Sequence, residues 1–410
     1  MDTIAVLGTF DTKGREHDFV ANEIRRRGLQ ALLIDVGTFA PRSAIPDFPN
    51  SEIAMSGGAT IEELREKKDR KHANTILSTG ASQVIRRLAD EGRIQGVISL
   101  SGRSGTTLCA AAMSALPITF PKMIVSSGAP GDASAHIGVT GIVIVPSLVD
   151  VSGLNRISRQ VFAKAIGALC GMLDSQIDVS TDKPLIAATV SPDTADCVAR
   201  ARIVLEAAGY EVVVFQNDGI GGRSMEALVE AGLVVGVLDV TPSEWVDELL
   251  GGIAGAGPGR LAAAARNGVP AVIAPGRLDL CDFGSAEAVP KQFENRLFCA
   301  PSARSYFMRT NAEESVELAR TVAEKINLSC GPASLAIPTR AISAISAPGQ
   351  RFHDPIADKV LFQALRAYLR KDIPVHELNA EINDQGFAEL CAEELLSNIA
   401  KVAKSPRPAQ

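Results

Sequence analysis

The stretch "VISLSGRSGTTLCAAAM", residues 97–113, decides the fold. An apolar run of strand length ends in a turn of Gly, Ser and Thr, and an Ala-rich helical run follows at once. A strand feeding a helix through a small-residue turn is the repeating unit of a parallel sheet covered by helices.

The same unit recurs outward in both directions. Upstream, "TIAVLG" (3–8) reads as a buried strand, and "REHDFVANEIRRRG" (15–28) as an amphipathic helix closed by Gly28. "QALLIDVG" (30–37) is a second strand, residues 38–58 a loop of Pro and small residues, and about 60–92 two helical patterns. Downstream come strands "PKMIVSS" (121–127) and "TGIVIVPS" (140–147), then a long helix over 154–173. The polar stretch "DSQIDVSTDKP" (174–184) interrupts the alternation, which restarts with "LIAATV" (185–190), "EVVVFQ" (211–216) and "VVGVLDV" (234–240). "VPAVIAPG" (269–276), a loop carrying "LDLCDFG" (278–284), a helix over 311–327 and "ASLAIPT" (333–339) follow. The last helix begins near Asp384.

The expected fold is α/β, with two Rossmann-like parallel-sheet subdomains: 1–176, a linker at 177–183, and 184–405. "IAVLGTFDT" (4–12) can be laid on "IAATVSPDT" (186–194), which points to an internal duplication.

Composition narrows the function. The formal net charge of −6 argues against a general nucleic-acid surface. No apolar run approaches the roughly 20 residues that span a bilayer. The start of the chain lacks a signal-peptide pattern. Seven cysteines without a CxxC pair suit reduced thiols in the cytoplasm, and Cys109, Cys170, Cys197 and Cys391 read as core filler. The densest charged stretch, "EELREKKDRKHA" (62–73), mixes both signs and reads as a solvated helix face.

Chemistry is expected where strands hand over to helices. In residues 101–107, Gly102 and Gly105 allow close backbone approach, while Ser101, Ser104, Thr106 and Thr107 add hydroxyls. Arg103 adds a forked cation, so the turn suits a phosphate or carboxylate. In "GTFDTKGRE" (8–16), Gly8, Thr9, Asp11, Thr12 and Lys13 lie at the end of the first strand. Lys13 suits a phosphate. Asp11 suits a metal-bound water, a ribose hydroxyl or, equally, a helix cap. Ser127, Gly128 and Gly131 follow a third strand, with Asp132 and His136 nearby. Asp150, Ser152, Asn155 and Arg156 precede the long helix, where Ser152 or Asn155 suits a cap.

The second half offers Gly221 and Gly222 before a helix, then Asp239, Thr241 and Ser243. Arg277, Asp279, Asp282, His353, Asp354, Asn379, Glu381, Asn383 and Asp384 sit in polar loops. These suit either a cleft between domains or ordinary solvated turns. None has metal-ligand spacing.

Together "GTFDTKGRE", "SGRSGTTL", "PSLVDVSGLNRISR", "AAGYEVVVFQNDGIGGRSMEALVEAG", "LDVTPSEWVDELLGG" and "NAEIND" resemble the Tm-one-like ATP-binding domain family over nearly the whole chain. The resemblance implies two α/β subdomains, ATP bound in the first, possibly with Mg²⁺, and a homodimer. The family turn reads close to G-x-G-G-S-x-G-T. Here Ser99 and Ser101 replace two glycines, and Arg103 occupies a small-residue position.

Two functions follow as expectations. One is a cytoplasmic ATP- or nucleotide-binding protein whose phosphates rest on the turns of the first half. The alternative is a cytosolic enzyme of small-molecule catabolism, acting on a carboxylate or phosphorylated metabolite in the interdomain cleft. No nucleic acid or membrane is expected as partner.

Overall fold

In β1 (Thr3–Gly8), Ile4 and Val6 face one hydrophobic core and Ala5 and Leu7 another. That alternation requires helices on both faces of the sheet. The computed structural model describes residues 1–43, 45–128, 140–175, 182–302 and 304–403. They divide into two units, Met1–Val179 and Ser180–Gln410.

In the first unit, β1 lies between β2 (Gln30–Asp35) and β3 (Gly96–Ser101), followed by β4 (Lys122–Ser126) and β5 (Ile142–Pro146). The order is β2-β1-β3-β4-β5, and every pairing is parallel. Helix α1 (Phe10–Arg26) covers one face, with its Val20 and Ile24 in the core that holds Ile4. On the other face lie α2 (Asn50–Ser56), α3 (Ile61–Lys67), α4 (Arg70–Asp90) and α5 (Arg103–Met113), which contribute Ile53, Leu64, Leu77 and Leu108. Helix α6 (Arg156–Asp174) joins α1 through Phe162 and Ile166. Of the two candidate caps, Asn155 closes α6, accepting from the N–H groups of Ile157 and Ser158.

The expected loop at 38–58 therefore holds one more helix, α2. It is only two turns long and buries Asn50, Ile53 and Ala54, too short a pattern to read as a period.

The second unit repeats the topology. Strands β6 (Leu185–Val190), β7 (Glu211–Gln216), β8 (Gly236–Asp239) and β9 (Ala271–Ile273) are joined by β13 (Ala333–Pro338) and β14 (Val375–Leu378), in the parallel order β7-β6-β8-β9-β13-β14. The first five positions match the first unit strand for strand. Helices α7 (Ala195–Ala207) and α13 (Gln385–Ala403) cover one face. On the other lie α8 (Ile220–Glu230), α9 (Glu244–Leu250), α10 (Ala263–Arg266), α11 (Ala312–Ile326) and α12 (Pro355–Tyr368).

Between β9 and β13 the chain adds a small antiparallel sheet: β10 (Leu280–Asp282), β11 (Phe298–Ser302) and β12 (Ser305–Arg309), ordered β10-β12-β11. The sequence "LDLCDFG", expected as loop, is thus partly an edge strand. It pairs through Cys281 and Met308, a long-range contact that local pattern does not reveal. No helix among the described residues is long and apolar enough to cross a membrane.

Candidate functional site

Strands β1 and β3 are neighbours, yet α1 leaves β1 for one face of the sheet and α5 leaves β3 for the other. The chain parts at their carboxyl ends, the place where open α/β sheets form a crevice. A cavity of about 570 Å³ lies there.

Two of the expected strand ends meet in it. Thr9, Asp11, Thr12 and Lys13 line it from the start of α1, and Ser101, Gly102, Arg103, Ser104 and Gly105 from the start of α5. Thr9 and Thr12 join their hydroxyls at 2.7 Å. Helix α1 is kinked at Lys13, whose φ of −131° departs from helical values.

The other expected residues do different work. Gly8 lets the buried His17 ring lie against the backbone. Thr106 is buried, bonding Gly102 O at 3.0 Å and Ser126 Oγ at 2.7 Å. Thr107 is exposed and turns back to Arg103 O. Ser127 belongs to a separate cavity of about 500 Å³ beside Asp150. A Cβ on Gly128 would stand 2.7 Å from Arg103 Cα, so Gly128 lets that segment seat against the α5 turn. Gly131, Asp132 and His136 lie outside the described residues. The two serines at family glycine positions bond each other, Ser99 Oγ to Ser101 Oγ at 2.8 Å, and Ser99 is fully buried.

The stretch read as a solvated helix face contributes a third wall. Arg65, Lys68, Asp69, Arg70 and Asn74 line the cavity. Lys68 closes α3 in the left-handed region, φ 50°, a conformation that costs a lysine about 1 kcal/mol or more. Asp69 then caps α4 by accepting from Lys71 and His72. Arg65 Nε donates to Thr38 O at 2.7 Å. Charge alternation could not separate cations facing water from cations facing a cavity.

Helices α4 and α5 run parallel: Ser82 Oγ reaches Ala111 O and Arg86 reaches Ala115 O, both 29 residues on. Their first turns, with that of α1, therefore open on the same cavity. Among the described residues, the charged ends of Lys13, Lys68, Arg70 and Arg103 make no hydrogen bond or ion pair. Leu64, Ala73, Leu77 and Leu108 supply an apolar stretch of wall.

Asp11 is 6% exposed. Its Oδ2 accepts from Thr38 N at 3.2 Å and Phe39 N at 3.0 Å, while Oδ1 has no partner. Nearby Asp35 is fully buried, and burial pushes its carboxyl up to about 6, opposed by the N–H groups of Gly37 and Phe10.

The corresponding crevice of the second unit, between the ends of β6 and β8, is filled by side chains. Thr194 and Thr241 bond through their hydroxyls at 2.7 Å. Arg277 donates to Asp193 at 3.2 Å and Ser243 at 3.3 Å, and its guanidinium lies 4.9 Å from the Phe307 ring centre. Asp239 and Glu244 grip the buried Arg260. Gly221 and Gly222 are packing glycines: a Cβ would meet Gln216 O at 1.9 Å and Glu244 Oε1 at 2.2 Å. Asp354 caps α12, and Asp384 accepts from Glu381 N. Asn383 binds Asp193 O, Asp279 takes the Ser343 hydroxyl at 2.6 Å, and His353 bonds Ser346 O. Among the described residues no group of three His, Cys, Asp or Glu side chains could hold a metal.

Residues 2–178 match the model described as "Uncharacterised protein family (UPF0261) N-terminal domain", and residues 183–399 match its C-terminal domain. The chain belongs to the UPF0261 family. A UPF0261 protein of Clostridium tetani is 40% identical over 97% of this chain and 99% of its own length. The ToMV resistance protein Tm-1(GCR237) of Solanum lycopersicum is 30% identical over 95% of this chain. This UPF0261 chain spans 55% of the tomato protein. The likeness to a UDP-GlcNAc 2-epimerase of Methanocaldococcus jannaschii is slight: TM-score 0.24 and 8% identity, over 67% of this chain and 83% of that one.

Proposed function

We propose that the first unit binds ATP, with the phosphates on residues 101–105 and the first turn of α1. The observation that carries this reading is the meeting of four cations without a protein partner among the described residues and the uncapped start of α5 around one cavity, in a chain of net charge −6. The start of α5 has no side-chain cap and offers N–H groups and partial positive charge to an anion, whereas Asp69 already caps α4 and Phe10 N at the start of α1 donates to Asp35. Four such cations suit an oligophosphate better than a single carboxylate. The apolar wall gives a nucleobase a surface to lie on, and the volume falls within the roughly 300–1,000 Å³ of small-molecule sites. Mg²⁺ would accompany the phosphates as their counter-ion.

Titration calorimetry with ATP and Mg²⁺, on the protein and on Gly105→Asp, tests the reading. A Cβ on Gly105 stands 3.4 Å from Ser101, so Asp fits. A carboxylate in the first turn of α5 favours the helix and repels phosphate. Binding that the variant loses is expected. No binding by the unaltered protein at millimolar ATP would overturn the reading. The family resemblance makes a homodimer the expected assembly, which light scattering would test.

A further inference from the structure

We propose that the ring of Phe39 stacks on the base of the bound nucleotide. The inference rests on the nucleotide reading above and deepens it, because it assigns the group that recognises the base.

Phe39 lies in the segment leaving β2, residues 37–39, which side chains hold in place of secondary structure. Asp35 Oδ1 accepts from Gly37 N at 2.8 Å, and Asp11 Oδ2 accepts from Thr38 N at 3.2 Å and Phe39 N at 3.0 Å. Asn50 Nδ2 donates to Gly37 O at 2.8 Å and to Phe39 O at 2.9 Å. Arg65 Nε donates to Thr38 O at 2.7 Å. Every backbone N–H and C=O of the three residues is thus satisfied by a side chain, brought from β2, α1, α2 or α3. Asp11, Asp35 and Asn50 are buried, so the anchors of this segment are themselves fixed.

The ring that this backbone presents is free. Phe39 is 63% exposed, and among the described residues it is the one aromatic side chain that lines the cavity. Its ring makes no stacking or cation contact with a described residue, and every other phenylalanine of the chain is buried or half-buried. A single exposed apolar side chain needs no explanation on an open surface. This one stands on a cavity wall, on a backbone held from several sides, with its π-face bare.

A base can use that face and a phosphate cannot. Stacking on an aromatic side chain strengthens the binding of any base, since every base has a π-face of its own. Leu64, Ala73, Leu77 and Leu108 offer apolar surface on the wall but no π-system. A ring already held in position also loses little freedom when the base arrives.

Calorimetric titration with ATP and Mg²⁺, and with inorganic tripolyphosphate, on the protein, Phe39→Ala and Phe39→Trp tests this. Alanine should weaken ATP about fivefold or more and leave tripolyphosphate unchanged. Tryptophan should hold ATP at least as well as phenylalanine does. Its indole emission should be quenched by ATP and not by tripolyphosphate. The native Trp245 is buried in the second unit, and the unaltered protein gives its background. Equal ATP affinity for the unaltered protein and Phe39→Ala would overturn the proposal, and a changed light-scattering mass beside it would mark a protein contact instead. Equal losses of ATP and tripolyphosphate would also overturn it. So would an indole that saturating ATP leaves unchanged, or that tripolyphosphate quenches equally, and this arm needs no alanine variant. Failure of the unaltered protein to bind ATP would overturn the nucleotide reading itself.

Discussion

A Cβ on Gly8 would lie 1.9 Å from Nε2 of His17. The ring is fully buried, stacks on Phe10 at 4.9 Å between centres, and is anchored by Nδ1 to Lys13 O at 2.7 Å. It has nowhere to retreat. Gly8→Ala should lower stability by about 1–3 kcal/mol, read from urea unfolding. His17→Ala in the same chain should recover part of that loss. An additive double mutant would contradict the contact.

His17 also sets a pH response. Burial holds its pKa down to about 4, against the partial relief of the Lys13 carbonyl. The unfolded chain binds a proton near pH 6.5 and the folded one does not until about pH 4, so stability falls as pH drops through that window. The share lost between pH 7 and 5 should be about 1–2 kcal/mol. His17→Gln should lose less over that interval in urea melts. Asp35 runs the other way: its raised pKa gives stability present at low pH and lost as pH rises through about 6. Asp35→Asn should therefore steepen the net acid loss.

Arg260 is 1% exposed and holds Asp239 Oδ1 at 2.8 Å, Glu244 at 2.9 Å and Glu226 at 3.3 Å. Burial raises both glutamates, and the arginine opposes that rise. Arg260→Met would strand two buried carboxylates, Asp239 and Glu244, and the partly buried Glu226. A loss of about 3–5 kcal/mol is expected in chemical unfolding. An unchanged midpoint would mean the carboxylates find other partners.

Lys68 and Arg70 should act on affinity rather than folding, since neither charged end has a protein partner among the described residues. Alanine at each should weaken ATP by roughly two- to fivefold, the scale of one exposed ion pair. It should also flatten the salt dependence measured by calorimetry. AMP, with fewer phosphates, should lose less. Equal losses for ATP and AMP would remove these residues from the phosphates.

The alternation of strands and helices was legible because each buried strand is a short apolar run ended by Gly, Ser or Pro, as in β1, β3 and β6. The turn at residues 101–105 and the end of β1 were legible for the same reason. Arg65, Lys68 and Arg70 were not. Their neighbour Lys71 is an exposed cation outside the cavity, and nothing local distinguishes the two situations. The β10–β12 sheet escaped because its strands are short and β10 takes its register from partners more than twenty residues away. Ser101, a ligand hydroxyl on composition, lines the cavity as expected, but its Oγ also pairs with Ser99 Oγ at 2.8 Å, a contact two residues back along the strand that composition does not reveal.

Arg277 gives the second crevice a different fate from the first. Its guanidinium is tethered by its own backbone, held in the left-handed region at φ 59°, among the residues that end β6 and β8. The entropy of bringing it there was spent when the chain folded. A dissolved cation must compete with a group at very high effective concentration. Occupancy of that crevice is therefore fixed by folding and indifferent to metabolite levels, while the cavity beside Asp11 stays answerable to whatever the surrounding solution supplies.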